Sequence, residues 1–224
     1  MVKRATSFWR DNGLTLALLA AFLFCLMGML WAGWLEENAM LTAHRKGAIG
    51  LLEYATGPMF QSALYENWES EFLQMSAYVI MTAMLFQRGS AESKDPDKSN
   101  PEDEDPDKRY RDNNAPWPVR ARGLWSTLYS YSLGIALLLL FAASFVLHWL
   151  HSAEAANEEA ALHGQAAQSM LEYLGEPQLW FESFQNWQSE FLSTAVLVVL
   201  SIVLRHRGSP ESKPVADPHS KTGH

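Results

Sequence analysis

Two long stretches without charged residues constrain the fold of this chain more than any other feature. Residues 14–34 form a 21-residue run with no charge, and residues 128–150 form a second run that only His148 interrupts. A helix needs about 20 apolar residues to cross the hydrocarbon core of a bilayer. We therefore predict a membrane-spanning helix at each of these runs.

Two shorter apolar runs are ambiguous when each is taken alone. Residues 72–86 and 191–204 span 15 and 14 positions, a length that fits either a short membrane span or a buried helix of a soluble core. The basic start of the chain, with Lys3, Arg4 and Arg10, resembles that of a signal peptide. The first apolar run is longer than the hydrophobic region of a typical signal peptide, and it ends in tryptophans rather than in a cleavage site with small residues. We therefore expect an uncleaved anchor.

An internal duplication resolves the ambiguity of the short runs. Four sequence blocks recur at a constant offset of 119 residues, without a gap. The pairs are Leu52-Glu53-Tyr54 with Leu171-Glu172-Tyr173, Pro58 with Pro177, Asn67-Trp68-x-Ser70-Glu71-Phe72-Leu73 with Asn186-Trp187-x-Ser189-Glu190-Phe191-Leu192, and Arg88-Gly89-Ser90-x-Glu92-Ser93-Lys94 with Arg207-Gly208-Ser209-x-Glu211-Ser212-Lys213.

Each half reads as a long apolar run, a polar stretch, a short apolar run and a basic stop. A chain cannot return through lipid with its backbone groups unbonded, so each half is predicted to be a helical hairpin. The predicted fold is an all-α membrane protein with four transmembrane helices in two parallel-repeat hairpins. The boundaries are 1–94 for the first repeat (spans at about 14–34 and 68–87), 95–119 for the linker, 120–213 for the second repeat (spans at about 128–150 and 187–205) and 214–224 for the tail.

Charge and composition predict how the segments outside the spans behave. Lysines and arginines cluster before the first and third runs and after the short ones, which places both termini and the linker in the cytoplasm. The linker 95–119 and the tail are rich in proline and charge, so we expect them to be disordered. Residues 40–56 and 159–175 are predicted to form short amphipathic helices on the outer membrane surface.

The duplicated Asn-Trp-x-Ser-Glu-Phe motif is the candidate functional site. A helix starting at Pro58 places Glu71 on the side of the core-like residues, whereas Glu66 and Glu69 fall on the far side. A carboxylate inside a bundle is costly unless it pairs, binds a proton or faces water. The candidate ion, proton or packing residues are Asn67, Ser70, Glu71, Gln74, Asn186, Ser189, Glu190 and Ser193, and the candidate interfacial anchors are Trp68 and Trp187.

Other kinds of site receive little support from the sequence. His148 and His151 are three residues apart, but the first repeat does not share them, and we expect interfacial histidines rather than ligands of a metal or haem. The single cysteine, Cys25, excludes a disulfide framework. No phosphate-binding loop, Cys/His metal spacing or nucleophile elbow is present, so we expect neither an enzyme nor a cofactor. A net charge of −8 disfavours nucleic-acid binding.

The segments "FWRDNGL", "YENWESEFLQM" and "LFQRGSAESKDPD" resemble an uncharacterised family of small bacterial membrane proteins, a domain of unknown function. The resemblance extends over nearly the whole chain, including the duplicated hairpin and the N-W-E-S-E-F motif. It implies a multi-pass protein of the bacterial inner membrane. It implies no activity, and it brings no functional residue with it.

Two functions are compatible with these patterns. The first is a non-enzymatic membrane interaction or scaffold protein, in which the duplicated motif supports helix packing or docking. The alternative is a small oligomeric ion- or proton-coupled transporter or channel that uses Glu71 and Glu190. The expected partners are the lipid bilayer and either further copies of the chain or another membrane protein.

Overall fold

The protein is all-helical in a computed structural model, which describes residues 8–223 except the side chain of Arg10. Lys3 and Arg4, which belong to the basic start of the chain, lie outside this range. No strand occurs in the described range, which confirms the all-α prediction there. The helices are α1 (Phe8–Asp11), α2 (Gly13–Ala43), α3 (Leu51–Thr56), α4 (Pro58–Met84), α5 (Trp117–Ala121), α6 (Leu124–Ser130), α7 (Ser132–Leu162), α8 (Met170–Tyr173) and α9 (Pro177–Val203), with 3₁₀ turns at Pro101–Asp103 and Pro106–Lys108.

Three of the described helices, α2, α7 and α9, are long and apolar enough to cross a membrane. The fourth predicted span falls in α4, which starts at Pro58 as predicted and has 27 residues. Its length of about 40 Å would suffice, but it is less apolar than the other three. Length and composition thus support a membrane protein, and the fourth span remains a prediction.

The chain packs into two units that do not coincide with the two sequence repeats. The first unit contains the chain up to Ala63 together with Leu150–Ser169. The second contains Leu64–Trp149 and Met170–His224. Each unit therefore draws on both repeats, and each is described separately below.

In the first unit, α2 and α7 end in the same way, and this overturns the prediction of amphipathic helices at 40–56 and 159–175. Arg45 and Gly164, which are equivalent in the repeat, adopt φ angles of 58° and 69°. The next amides, of Lys46 and Gln165, bond back to the carbonyls of Leu41 and Ala160. This left-handed cap with a bond back across the last turn is a Schellman motif, which ends a helix. Extended chain follows each cap, and the helices α3 and α8 begin only at Leu51 and Met170.

Two equivalent asparagines hold the extended chain against the helix that precedes it. Asn38 accepts the amide of Ile49 at 2.7 Å and donates to the carbonyl of the same residue at 3.2 Å. Asn157 makes the same pair of bonds to Gln168, at 2.8 and 2.9 Å. A side-chain amide that matches both backbone groups of one residue imitates a strand partner. The asparagines therefore fix the return of the chain in both repeats.

A close contact between Gly33 and Tyr54 lets α3 pack on α2. A Cβ added at Gly33 would lie 2.2 Å from the hydroxyl oxygen of Tyr54, whose side chain is buried. We expect Gly33→Ala to lower the free energy of unfolding by about 1–3 kcal/mol, because the tyrosine ring must move. Thermal unfolding in detergent, followed by circular dichroism, measures the change.

Gly28→Ala is the matched control for this prediction. Gly28 lies on the same helix with no atom within 4 Å of an added Cβ. Alanine should raise helix stability there by about 0.5–1 kcal/mol, because glycine is the poorer helix former. Equal effects of the two substitutions would contradict the packing role of Gly33.

In the second unit, the duplicated Arg-Gly-Ser-x-Glu-Ser-Lys blocks form one turn twice. Gly89 and Gly208 take φ angles of 84° and 89°, where a side chain is strained. Ser93 and Ser212 each accept the backbone amide six residues before them, at 2.9 Å. The two blocks therefore form the same turn at the ends of α4 and α9.

The C-terminal tail packs onto the first of these turns. Thr222 is buried and accepts the amide of Gly89 at 2.9 Å, and the amide of Gly223 donates to the carbonyl of Ser90 at 2.9 Å. Lys213 is fully buried and donates to the carbonyls of Gly89, His219 and Lys221. Burial lowers the pKa of this ammonium group below the usual lysine value.

Residues 95–119 contain two hydrogen-bonded 3₁₀ turns, and the disorder that their composition suggests stays a prediction. Asp105 caps the second 3₁₀ turn by accepting the amide of Asp107 at 2.9 Å. Lys94 reaches into this stretch and binds Asp103 at 2.6 Å. Charged residues that bond to each other and to nearby amides replace the apolar contacts that the composition lacks.

Candidate functional site

A buried histidine–carboxylate pair lies at the centre of the second unit. His148 on α7 and Glu69 on α4 are both 0% exposed. The Nδ1 atom of His148 lies 2.7 Å from Oε2 of Glu69, and the indole nitrogen of Trp187 donates to Oε1 of the same carboxylate at 2.8 Å. Both oxygens of Glu69 are therefore bonded, and burial of its carboxyl group is compensated.

Two further carboxylates approach the other nitrogen of the imidazole. Oε2 of Glu182 lies 3.5 Å from Nε2 of His148. Glu66, Glu182 and His148 each offer one ligand atom, and these three atoms lie within 4.8 Å of one another. Asn186 donates to the Glu66 carboxylate. We name His148, Glu66, Glu69 and Glu182 the His148 cluster.

Helix geometry explains how three helices deliver these side chains to one place. Glu66 and Glu69 are three residues apart, which puts them on one face of α4. Pro177 is the first residue of α9, a position that suits proline, and it sets Glu182 in the second turn. Asn186 follows one turn later on the same face.

An aromatic shell covers the α7 and α9 side of the cluster. The ring of Trp187 makes edge-to-face contacts with Phe141 at 6.2 Å and with Phe184 at 5.2 Å. Trp180 stacks between Phe145 and Phe184, with centroids 5.9 and 6.1 Å away. Trp187 also contacts Glu69 through its indole nitrogen, and Glu182 keeps 23% of its side chain exposed.

The structure brings only part of the sequence-predicted site to the cluster. Asn186 and Trp187 contact it directly. Asn67 and Glu71 are exposed on the surface of the chain, and Glu190 is half-buried. The remaining predicted residues bond elsewhere: Gln74 to Thr194 at 2.5 Å, and Ser70, Ser189 and Ser193 to carbonyls of their own helices. Trp68, predicted as an anchor, packs edge-to-face on Tyr65.

The assignment of Glu66 and Glu69 to the outer side of α4 was wrong, because Glu69 is 0% exposed and Glu66 is half-buried. The interfacial position of His148 stays a prediction, and its side chain is buried within the chain. The buried positions of α4 include Ser62, Glu69, Ser70 and Ser76, whereas large apolar side chains such as Met75 are exposed. In membrane proteins, small and polar residues pack between helices, and large apolar ones face lipid. The helical-wheel argument took the apolar side as the core, and so it selected the opposite carboxylates.

One sequence signal identifies the correct side of α4. Ser62, Glu69 and Ser76 recur every seven residues, and on α7 Ser144 precedes His148 by one turn. A stripe of small polar residues in an apolar helix marks the helix–helix interface. Reading this stripe, rather than the apolar side, would have predicted that Glu69 and His148 are buried.

The cluster occupies positions at which the two repeats differ. The equivalents of Glu66 and Glu69 are Gln185 and Gln188, and those of His148 and Glu182 are Met29 and Ala63. The duplicated motif therefore does not supply these four side chains twice. Glu66 and Glu69 come from the first repeat and His148 and Glu182 from the second, so the two repeats together form one cluster.

The comparisons with known proteins identify a family but no activity. No curated protein and no solved structure matches the chain. The family that is described as a domain of unknown function, DUF6766, matches residues 5–224. This match covers almost the entire chain, and the protein therefore belongs to the DUF6766 family.

Proposed function

We propose that the protein is a multi-pass membrane protein of the bacterial inner membrane that handles a cation at the His148 cluster. The observation that carries this proposal is the burial of Glu69 and His148 at 0% exposure among three helices, two of them long and apolar enough to span a membrane. Ionisable side chains inside membrane helices are costly, and they mark ion pathways and binding sites far more often than apolar positions do.

The charge of the cluster favours a cation rather than an anion. Three carboxylates surround one imidazole, with Nδ1 of His148 at 2.7 Å from Glu69 and Nε2 at 3.5 Å from Glu182. A single imidazole balances at most one of these negative charges. A cation that enters beside Glu66 and Glu182 supplies the missing positive charge.

The position of the cluster in the proposed topology gives the cation a route. In the four-span arrangement with cytoplasmic termini, Glu66 and Glu182 precede their spans and His148 lies near the end of its run. All three then stand at the extracytoplasmic ends of their helices. Glu182, with 23% of its side chain exposed, provides the entry from that side.

Cation flux into proteoliposomes tests the proposal. The wild type is compared with Glu66→Gln/Glu182→Gln, which removes two charges of the cluster, and with Glu71→Gln/Glu190→Gln, which removes the two carboxylates that the sequence pattern selected. We expect flux in the wild type and in the second variant, and a loss of at least tenfold in the first. Flux that disappears only in the second variant, or no flux from folded and inserted wild type, would overturn the proposal.

A scaffold function is the second candidate, and the aromatic shell favours it. Trp180, Phe184 and Trp187 on α9 pack against Phe141 and Phe145 on α7, an arrangement that stabilises helix pairs. In this reading the His148 cluster only locks the helices together. Absence of flux in every protein, together with a specific membrane partner captured by cross-linking in cells, would favour the scaffold.

A further inference from the structure

Nε2 of His148 is a buried ring nitrogen without a hydrogen-bond partner in the described part of the chain. The side chain that carries it is 0% exposed, and the atom points toward Oε2 of Glu182, 3.5 Å away. A buried polar atom that lacks a partner requires an explanation, such as an ion. Here the atom faces two carboxylates, which cannot donate a proton to it when they are ionised.

The partner of the other ring nitrogen fixes the orientation of the imidazole. Nδ1 donates to Glu69, because an ionised carboxylate only accepts. Trp187 fixes the second oxygen of Glu69 at 2.8 Å, so the carboxylate cannot rotate away. A metal-binding histidine almost always donates its second N–H to a carboxylate or carbonyl, which orients the ring and makes it a better ligand. Glu69 occupies that supporting position.

The spacing of the remaining atoms fits a small divalent ion. Nε2 of His148 and Oε2 of Glu182 lie 3.5 Å apart. Ligands at 2.0–2.1 Å from a tetrahedral zinc ion lie about 3.3 Å from each other. The Glu66 carboxylate offers a ligand atom within 4.8 Å of both. The exposed part of Glu182 leaves room for water as the fourth ligand.

On these grounds we propose that His148, Glu66 and Glu182 bind a first-row divalent transition metal ion, with Glu69 as the positioning residue of the histidine. One imidazole and two carboxylates suit zinc, manganese or iron, whereas calcium and magnesium prefer oxygen ligands alone. This inference rests on the proposed function, because it names the cation that the His148 cluster would handle.

Binding of Zn²⁺ to the purified full-length chain in detergent tests the inference by isothermal titration calorimetry. We expect one ion per chain, retained in a hundredfold excess of Mg²⁺. Glu66→Gln/Glu182→Gln should weaken binding by at least a hundredfold, and Glu69→Gln by about 10–100-fold, as for other groups that orient a metal-binding histidine. Glu71→Gln/Glu190→Gln, on the same two helices, should bind as the wild type does.

Spectroscopy with Co²⁺ reports the coordination number of the bound ion. The visible bands of bound cobalt should have the intensity of a four- or five-coordinate site, and they should be absent in the Glu66→Gln/Glu182→Gln variant. No Zn²⁺ binding by folded wild type, or equal binding by both double variants, would overturn the inference.

The failure of this inference and that of the proposed function give different results. Flux of protons or alkali cations without Zn²⁺ binding would reject the metal site and leave the proposed cation handling in place. Zn²⁺ binding without flux of any cation would reject transport and retain the metal site as a structural one.

Discussion

Replacement of Glu69 by alanine is expected to lower the free energy of unfolding by about 3–5 kcal/mol. The carboxylate is 0% exposed and accepts from Nδ1 of His148 at 2.7 Å and from Trp187 at 2.8 Å. Removing one member of a buried ion pair leaves the other uncompensated in a medium where water cannot reach it. Two buried donors lose their acceptor at once, so the loss exceeds that of a single hydrogen bond.

The measurement is equilibrium unfolding in mixed detergent micelles, with Trp fluorescence and far-ultraviolet circular dichroism as probes. Glu71→Ala is the matched control, because Glu71 lies two residues further on α4 and is exposed. We expect a change of no more than about 0.5 kcal/mol for this control. Glu69→Gln keeps the volume and one acceptor, and so it should lie between the two. A larger loss for Glu71→Ala than for Glu69→Ala would support the helical-wheel prediction instead.

Replacement of Lys213 by methionine is expected to lower the free energy of unfolding by about 2–4 kcal/mol. Methionine keeps most of the volume but cannot donate, so the carbonyls of Gly89, His219 and Lys221 lose their shared donor. The side chain is 1% exposed, which leaves little room for water to take over. The tail should then detach from the turn that ends α4.

Hydrogen exchange at single amides tests the detachment. The amides of Gly89 and Gly223, which bond to Thr222 and Ser90, should exchange faster in Lys213→Met. Lys98→Met is the control, because the side chain of Lys98 is 67% exposed and solvent screens its pair with Asp95. Fast exchange of both amides already in the wild type would support the disordered tail that the composition predicts.

The duplicated and the unique residues have different tasks in this chain. The duplicated blocks include the glycine turns at Gly89 and Gly208, and the repeat register also aligns the asparagine clamps at Asn38 and Asn157. At these positions the two halves of the chain turn and end their helices in the same way. The His148 cluster lies at positions that differ between the repeats, where a change does not disturb a turn or a cap.

Several features of the fold could be predicted because they depend on neighbours along the chain. The start of α4 at Pro58 and of α9 at Pro177 follows from the fixed φ of proline, which suits the first helical position. The apolar runs within α2 and α7 predict helices of membrane-spanning length. The ends of these helices were predicted less well, because the residue at the left-handed cap of α2 is Arg45 rather than glycine.

The candidate site could be predicted only in part. The motif led to Asn186 and Trp187, which do contact the His148 cluster, and to Glu71, which does not. The sequence analysis did not identify which side of α4 faces the other helices. The small and polar side chains of α4 are buried and its large apolar ones are exposed, so the apolar side is not the packed side of this helix.

The sequence by itself determined the long helices, the proline starts and the duplicated turns, because each of these depends on contacts within a few residues of one another. Only the tertiary structure decided that Glu69 meets His148 and that Glu182 joins them. Glu69 on α4 is 79 positions away from His148 on α7 along the chain. The serine stripe marks the interface side of α4. Which helices meet at that side depends on packing across the whole unit, which a pattern within one helix does not contain.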